Sequence, residues 1–193
     1  MSETQQSFFS VTCEFTLFAD PLPADKRLVD ADTLLTMMPR AFKLMAQVNE
    51  VEQRCQPLMA SLAQHAAELA EYLSLQNLKL DMVLQLQLER STEAQYRCQG
   101  VRFGGSGAQV RSDQPLEPGT ILEIKMLVPE ENVAVFAVAE LTQCQPQEDG
   151  YLWDLDFTSI IEADQERLVH ASLQVEQRLL RARAQARREQ QTP

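Results

Sequence analysis

The first 99 residues of the chain contain no glycine, and all six glycines fall at or after Gly100. Glycine inside a helix costs about 1 kcal/mol relative to alanine, so a long glycine-free stretch rich in Ala, Leu, Gln and Glu favours helix. The distribution of glycine therefore predicts two different halves, a helical first half and a second half that contains turns.

Segments for membrane insertion or secretion are also missing from the sequence. No run of about 18 apolar residues occurs, as a membrane-spanning helix would require, and Met1 to Gln6 lack the basic start of a signal peptide. The four cysteines, Cys13, Cys55, Cys98 and Cys144, lie 42, 43 and 46 residues apart. Because no pair has metal-ligand spacing and four cysteines make a sparse disulfide framework, we expect a cytoplasmic chain with reduced thiols.

The sequence shows no signature of catalysis. Its two histidines, His65 and His170, are far apart, and no nucleophile elbow, Walker loop or metal-binding spacing occurs. Asp154 and Asp156 lie two positions apart in one predicted strand, so their side chains share a face. Because no partner for acid–base catalysis is identifiable, we interpret this face as exposed to solvent. We expect no enzymatic activity, no catalytic residue, no metal site and no required cofactor.

Charge is distributed unevenly along the chain. The net charge is −11, yet the last sixteen residues contain five arginines and one glutamate, so they carry +4 and the rest carries −15. An acidic body argues against DNA binding. For the arginine-rich tail the pattern leaves open RNA, an acidic partner, a neighbouring subunit, or a solvated helix end whose cations oppose the macrodipole.

A heptad pattern occupies the glycine-free stretch. Apolar positions alternate by four and three residues, with His65 and Gln76 as the polar exceptions. The seam consists of Leu44, Val48, Val51, Cys55, Leu58, Leu62, His65, Leu69, Tyr72 and Gln76. The next position along its edge is apolar at Met45, Met59, Ala66 and Leu73. So wide a stripe suits a bundle of three or four helices better than a narrow dimer seam.

The length of the predicted helix favours self-association. A helix over residues 41–77 would be roughly 55 Å long at 1.5 Å per residue, longer than any domain that the remaining residues can form. The alternative is that the stripe packs on the second half of the same chain. Pro57 predicts a kink or a break near Gln56. Because the heptad register continues across Pro57, we expect one bent helix, with Asp32 or Thr33 as its cap.

Residues 78–88 are ambiguous between helix and strand. Leu80, Met82, Leu84, Leu86 and Leu88 alternate strictly, as in a strand, but the leucines also fit one face of a helix. Because no turn residue separates this stretch from the heptads, we favour helix to about Glu89. The predicted domains are an N-terminal strand and linker over 1–32, a long oligomerisation helix over 33–89, and a barrel with a C-terminal helix over 90–193.

Short strands are predicted at both ends of this helix. Phe8 to Phe18 is rich in aromatic and β-branched residues and predicts a strand, which Pro21 and Pro23 end. After Arg90, alternating runs separated by Gly and Pro turns predict an antiparallel barrel. These runs are Tyr96 to Phe103, Ala108 to Arg111, Leu122 to Val128, Val133 to Leu141 and Tyr151 to Phe157. A last helix is predicted from Ala163 to Arg188.

Residues 90 to about 180 resemble the PilZ domain, a family of six-stranded β-barrels that bind cyclic di-GMP. The resemblance rests on residues 101–110 (VRFGGSGAQV), on the Pro118–Gly119 turn before ILEIKMLV, and on Leu155–Asp156–Phe157 followed by Ile160, Asp164, Arg167, Leu168 and Val169. With the preceding heptad helix, the chain resembles the atypical, tetramer-forming PilZ subgroup. The implied fold class is α+β: a small antiparallel six-stranded PilZ-like barrel with a long N-terminal heptad helix and a C-terminal helix.

The ligand motif departs from the family pattern. The family reads cyclic di-GMP with Arg-x-x-x-Arg before the first barrel strand and Asp/Asn-x-Ser-x-x-Gly at the next turn, because an arginine fork suits both phosphate and guanine. Here Arg90, Arg97 and Arg102 surround that entry, but none has an arginine four residues away. Alignment of Gly107 with the family glycine places Arg102 and Gly104 where Asp/Asn and Ser are expected.

The resemblance leaves two functional interpretations. In the favoured one, the chain is a non-enzymatic, oligomeric PilZ-like protein of bacterial cyclic di-GMP signalling that has lost tight ligand binding and acts through an unknown protein partner. In the alternative, it is a cyclic di-GMP receptor with a rearranged site. That site would consist of Arg90, Arg97, Arg102, Gly104, Ser106 and Gly107, whose backbone amides would hold phosphate as an anion nest.

Overall fold

The computed structural model describes residues 10–190, and the side chains of residues 10–187. The chain divides into two compact units, one formed by residues up to Leu34 and from Ala94 onward, and the other by Leu35–Glu93. The first unit is a β-barrel with a C-terminal helix, and the second is formed by helices. No helix among the described residues has the length and apolar character to cross a membrane.

Six of the seven strands in the described residues close an antiparallel barrel, which confirms the predicted fold class. The seven strands are β1 Ser10–Thr12, β2 Thr16–Leu22, β3 Tyr96–Gly104, β4 Gly107–Ser112, β5 Ile121–Val128, β6 Val133–Gln147 and β7 Gly150–Ile160. The ring runs β3-β2-β5-β6-β7-β4 and closes where β4 pairs with β3. The short β1 lies outside this ring, paired with the end of β3.

The N-terminal strand differs from the prediction. The predicted strand from Phe8 to Phe18 is two strands separated at residues 13–15, and Phe8 and Phe9 lie outside the described residues. Pro21 does not end the second strand, which continues to Leu22 and pairs Pro21 with Leu122. Since β2 lies between β3 and β5, the N-terminal segment supplies the sixth strand of the barrel.

The barrel core consists of the inward-facing side chains of the strands. Leu17, Phe103 and Trp153 are completely buried, and the ring of Tyr96 packs edge-on against Trp153 at 5.3 Å. Burial of each large apolar side chain contributes about 1.5–3 kcal/mol. Strands β3, β4 and β7 show the alternation of buried and less buried positions from which they were predicted. Strand β5 and the first part of β6 are instead buried on both faces.

The C-terminal helix, α4 (Glu162–Gln190), covers the barrel. Leu168, Ala171 and Val175 join the barrel core. Asp164 is buried and paired with Arg167 at 2.5 Å, and burial raises the pKa of Asp164 although Arg167 opposes the shift. The Asp164–Arg167 pair lies within α4, whereas Gln165 Nε2 donates to the Gly105 carbonyl of the barrel at 3.0 Å, so α4 is attached to the barrel by both apolar and polar contacts.

The helical stretch contains three helices, α1 (Ala31–Met37), α2 (Arg40–His65) and α3 (Ala67–Ser91). The cap of α1 is Asp30, whose Oδ1 accepts a hydrogen bond from the Thr33 amide at 2.7 Å, rather than Asp32 or Thr33. Residues 78–88 are helical, as favoured. The helix continues through Pro57 and breaks instead at Ala66, which has φ −149° and ψ 68°. The expectation of one bent helix across residues 41–77 was therefore wrong.

Helix α3 runs back along α2, so the two form a helical hairpin. Burial first, and then the neighbouring carboxyl group of Asp81 in α3, raise the pKa of Glu52 in α2 to about 7. Met45 lies seven residues before Glu52 in α2, and Leu88 lies seven residues after Asp81 in α3. Both side chains are buried. Seven residues are close to two helical turns, so these residues share the faces on which Glu52 and Asp81 lie.

Candidate functional site

The β3–β4 turn, where the family places its ligand motif, is covered by α4. Gln165 Nε2 donates to the Gly105 carbonyl at 3.0 Å, and a Cβ added at Gly105 would lie 2.5 Å from Val169 Cγ2. The Ser106 carbonyl accepts a hydrogen bond from the Phe157 amide at 2.8 Å. The glycines thus allow α4 and β7 to approach the turn closely.

The backbone of this turn differs from an anion nest. A nest needs successive residues that alternate between right-handed and left-handed conformation. Gly119 and Gly150 have φ of 90° and 109°, but none of Gly104, Gly105 and Gly107 has a positive φ. The amides of this turn are therefore not arranged as such a cradle.

Arg102 is bound to the N-terminal strand of the same chain. Strand β1 pairs with β3 through Ser10 opposite Gly104 and Thr12 opposite Arg102. Arg102 Nη2 donates to Ser10 Oγ at 2.9 Å. Strand β1 therefore occupies the edge of β3 beside Arg102.

The other two candidate arginines lie in separate places. Arg97 stacks over the ring of Phe18, with 5.6 Å from its guanidinium carbon to the ring centroid. Five residues along β3 separate Arg97 from Arg102, or roughly 16 Å of strand at about 3.3 Å per residue. Arg90 belongs to α3, in the helical unit. The structure does not bring Arg97 and Arg102 close enough to hold one phosphate between them.

Carboxylates lie beside the turn on the neighbouring strands. Asp156 of β7 pairs with Gly107, and Glu140 of β6 pairs with Asp156. Asp154 accepts a hydrogen bond from Gln109 at 2.8 Å. Burial first, and then Glu140 and Asp154, raise the pKa of Asp156. Glu140 is paired with Arg27 at 2.5 Å, so the carboxylates that oppose phosphate binding at the turn are those of Asp154 and Asp156.

The titratable groups in the described part of the chain show no catalytic arrangement. No group of three or more His, Cys, Asp or Glu side chains that could hold a metal occurs there. His65 Nδ1 lies 3.0 Å from the Ser61 carbonyl, and His170 is exposed on α4. Burial raises the pKa of the Cys98 thiol to about 11, so at neutral pH it is a protonated core residue.

A second candidate site is the outer surface of the helical hairpin, where most of the predicted seam is exposed. Leu44, Val51, Cys55, Leu58, His65, Leu69 and Tyr72 are exposed, and Val48, Leu62 and Gln76 are half-buried. The exposed residues Leu44, Val51 and Leu58 form one column on α2, seven residues apart. The seam is therefore not covered within the helical unit.

Helix α3 exposes more apolar surface than α2. Nine large apolar side chains of α3 are between 37% and 65% exposed. They are Leu69, Tyr72, Leu73, Leu75, Leu78, Leu80, Met82, Val83 and Leu86. At about 100° per residue these positions cover about 220° of the helix circumference. A helix that is apolar on so many sides is typical of a buried position in a bundle.

The interior of the hairpin was not predicted from the sequence. Phe42, Met45, Asn49 and Glu52 follow each other at helical spacing, one face away from the predicted seam. The first three are buried, and the carboxyl group of Asp81 neighbours Glu52. This spacing was visible in the sequence, but the partner helix was not, because the break at Ala66 was not predicted.

Comparisons with known proteins agree with this architecture. The PilZ domain model matches residues 77–174. The chain is similar in structure to a pathogenic protein from Xanthomonas campestris with a tetrameric PilZ domain self-assembled via an unusual helical bundle. That match has a TM-score of 0.51 and 15% identity, and it covers 91% of this chain and 92% of that one.

Two further structures match about half of the chain. The Bacillus subtilis inhibitor of motility has a TM-score of 0.39 and 15% identity, over 45% of this chain and 53% of its own. The PilZ domain with cyclic di-GMP of YcgR from Escherichia coli has a TM-score of 0.39 and 12% identity, over 47% and 78%. No curated protein matches the chain.

Proposed function

Because the chain belongs to the PilZ domain family, we propose that it is a non-enzymatic, self-assembling protein of bacterial cyclic di-GMP signalling. In this proposal it acts through its assembly and a protein partner, not through tight nucleotide binding at the β3–β4 turn. Its four cysteines are unpaired, which supports a reducing, cytoplasmic location.

The exposed apolar surface of the hairpin is the observation that carries the proposal. Large apolar patches on soluble chains mark interaction sites, because each square ångström removed from water contributes about 25 cal/mol. The heptad spacing of the α2 column and the wide apolar arc of α3 are suited to packing against other α-helices. Further copies of the same hairpin supply such helices.

Four copies fit this surface better than two. A dimer would cover one side of α3, whereas the apolar arc of about 220° requires neighbours on two sides in addition to α2. The Xanthomonas campestris neighbour is a tetramer assembled via a helical bundle. We therefore propose a coiled-coil-like tetramer of the subgroup to which that neighbour belongs.

Sedimentation velocity of the purified full chain at micromolar concentration tests the assembly. We expect a single species of about four times the chain mass of 21.9 kDa. A monomer under these conditions would contradict the proposal, since the apolar surface would then remain exposed.

The geometry of the β3–β4 turn supports weak binding of free cyclic di-GMP. Arg102 donates to Ser10, Gln165 and Val169 cover Gly105, and the carboxylate of Asp156 lies beside Gly107. A charged hydrogen bond contributes about 1.5–3 kcal/mol, so each missing contact removes one to two decades of affinity. The free energy of a single phosphate contact exceeds the entropic cost of association only slightly.

Calorimetric titration of the oligomer with cyclic di-GMP at physiological salt separates this proposal from the receptor alternative. We expect a dissociation constant above the micromolar range. The Arg97→Ala/Arg102→Ala double variant tests the candidate site, and Arg111→Ala is the matched control because it removes an exposed arginine from β4. Submicromolar affinity that is lost in the double variant and kept in the control would establish a rebuilt receptor site.

A further inference from the structure

The second half of α4 is exposed on all sides. Val175 is its last buried side chain, and every side chain of residues 177–187 is exposed. We call residues 177–187 the free end of α4, and they span roughly 16 Å at 1.5 Å per residue. Most of the stability of a helix in a protein comes from packing of one of its faces. Within the described chain the free end has no such buried face.

The free end carries an apolar strip between arginines. Its charged side chains are all basic: Arg178, Arg181, Arg183 and Arg187. The strip continues the four-and-three spacing with which Leu168 and Val175 face the barrel, and it consists of Leu179, Ala182 and Ala186. At about 100° per residue, Arg178 and Arg183 lie on opposite sides of this strip. A face that is apolar in the middle and charged at its edges is suited to packing against another helix.

One arginine of the free end already binds carboxylates. Arg178 is paired with Glu130 at 3.2 Å and with Glu131, in the turn between β5 and β6. The three remaining arginines have no ion pair or side-chain hydrogen bond with another described residue, and they are Arg181, Arg183 and Arg187. A guanidinium group binds a carboxylate through two parallel hydrogen bonds, so carboxylates of another molecule are suitable partners for these arginines.

The start of α3 offers a face of opposite charge. Glu68 and Glu71 are exposed and lie three positions apart, so they share one side of the helix. Tyr72 and Leu75 lie on the same side, within about 100° of the circumference, and both are exposed. Neither carboxylate has an ion pair within the described part of the chain. This face combines carboxylates with apolar side chains, as the free end of α4 combines arginines with them.

A second copy of this chain suits the free end better than RNA or an anionic membrane surface. The net charge of −11 repels both kinds of polyanion. The free end also has no aromatic side chain, whereas proteins that bind single-stranded RNA stack its bases on aromatic rings. In the proposed assembly the carboxylates of a neighbouring copy are held at high effective concentration.

We propose that the free end of α4 docks on the start of α3 in a neighbouring copy. Arg183 and Arg187 pair with Glu68 and Glu71, since the two residues of each set are about one helical turn apart. The apolar strip packs beside Tyr72, which belongs to the predicted seam, so this contact extends the interface of the hairpin. The inference rests on the proposed function, because self-assembly brings the copies together.

Sedimentation equilibrium of full-length variants measures the strength of association. Arg183→Glu/Arg187→Glu is expected to weaken association about tenfold, because two ion pairs become two repulsions. Lys26→Glu/Arg111→Glu is the matched control, since it makes the same change in net charge at exposed positions of the barrel unit. The control should have a much smaller effect on association.

The reciprocal variant separates a specific contact from general charge repulsion. Glu68→Arg/Glu71→Arg makes the chain less negative, so general repulsion alone would strengthen association. We expect this variant to weaken association instead. The chain with all four substitutions should recover most of the lost association, because the exchanged charges attract each other again.

Circular dichroism shows whether each variant is folded. If Arg183→Glu/Arg187→Glu does not fold, Arg183→Gln/Arg187→Gln is the milder second variant and should weaken association about threefold. A monomeric unmodified chain would contradict the proposed function itself. An oligomer that associates equally in the control and in both charge-reversed double variants would overturn this inference alone.

Binding of oligouridylate or of phosphatidylserine vesicles tests the other two occupants. We expect the unmodified oligomer to bind neither at physiological salt. Binding that Arg183→Glu/Arg187→Glu removes without weakening association would overturn the inference, because the free end would then face a different polyanion.

Discussion

At the scale of single residues, the glycines of the barrel are explained by close contacts more often than by special backbone conformation. Gly119 and Gly150 lie in turns with positive φ, which suits glycine. Gly100, Gly105 and Gly107 instead lie where another group occupies the space of a side chain: the Phe15 ring, Val169 and the Leu155 carbonyl.

Gly100→Ala is expected to destabilise the barrel because its methyl group would overlap the ring of Phe15. That ring is buried and packs edge-on against Phe103 at 5.7 Å, so it has little room to move. Overpacking of this kind costs about 1–3 kcal/mol in the free energy of unfolding, measurable by urea denaturation. In a Phe15→Leu background the same substitution should cost less. An unchanged free energy for Gly100→Ala in the unmodified chain would contradict this explanation.

At the scale of the elements, the breaks between helices do not follow the residues that usually cause them. Pro57 lies in the interior of α2 without ending it, and its exposed position leaves the unpaired carbonyl of the preceding turn open to water. The break at Ala66 has neither glycine nor proline, and nothing in the local sequence marks it. Helix α3 runs back along α2 and places Asp81 near Glu52. In one continuous helix these two residues would be far apart, so their proximity was not predicted.

Pro57→Ala is expected to stabilise α2, because it restores a backbone hydrogen bond and removes a clash with the preceding turn. The gain is up to about 3 kcal/mol in the free energy of unfolding, measured by urea denaturation and circular dichroism. Gln56→Ala, at the exposed neighbouring position, is the control and should have a much smaller effect. If Pro57→Ala weakens assembly instead, the proline would shape the outer face of the helix.

At the scale of the whole molecule, the two units carry different parts of the proposed function. The barrel keeps the PilZ fold, but β1, α4 and the carboxylates of β6 and β7 surround the place of the ligand motif. The helical unit exposes the apolar surface. The net charge of −11 opposes association of copies, so the apolar contacts must exceed this repulsion.

Leu58→Glu and Leu80→Glu are each expected to dissociate the assembly. These side chains are 69% and 62% exposed in the single chain, so their replacement should leave the hairpin folded. In the assembly each new carboxylate would be buried without a partner, which is strongly unfavourable. Sedimentation should show smaller species for both variants, while Gln53→Glu, an exposed polar position of α2, should remain assembled. Assembly retained by both leucine variants would place the interface elsewhere.

The sequence by itself determined the parts of this protein that depend on local periodicity. Alternation of period two placed β3, β4, β5 and β7 within about three residues of their observed bounds, and it placed the start of β6, which continues past Leu141 to Gln147. The absence of glycine placed the helical half. The heptad positions identified an apolar surface, and the PilZ resemblance of the second half was confirmed by the family model. These features follow from neighbouring residues, because side-chain direction repeats along a strand or helix.

Only the tertiary structure decided what depends on residues far apart in the chain. Strand β2 became the sixth barrel strand through pairing with β3 and β5, and Arg102 met Ser10 across 92 positions of sequence. Glu52 and Asp81 became neighbours because α3 turns back at Ala66. Pairings of this kind are set by how the elements pack, and one sequence contains no periodic signal for them. For this reason the fold was predicted more fully than the environment of the candidate sites.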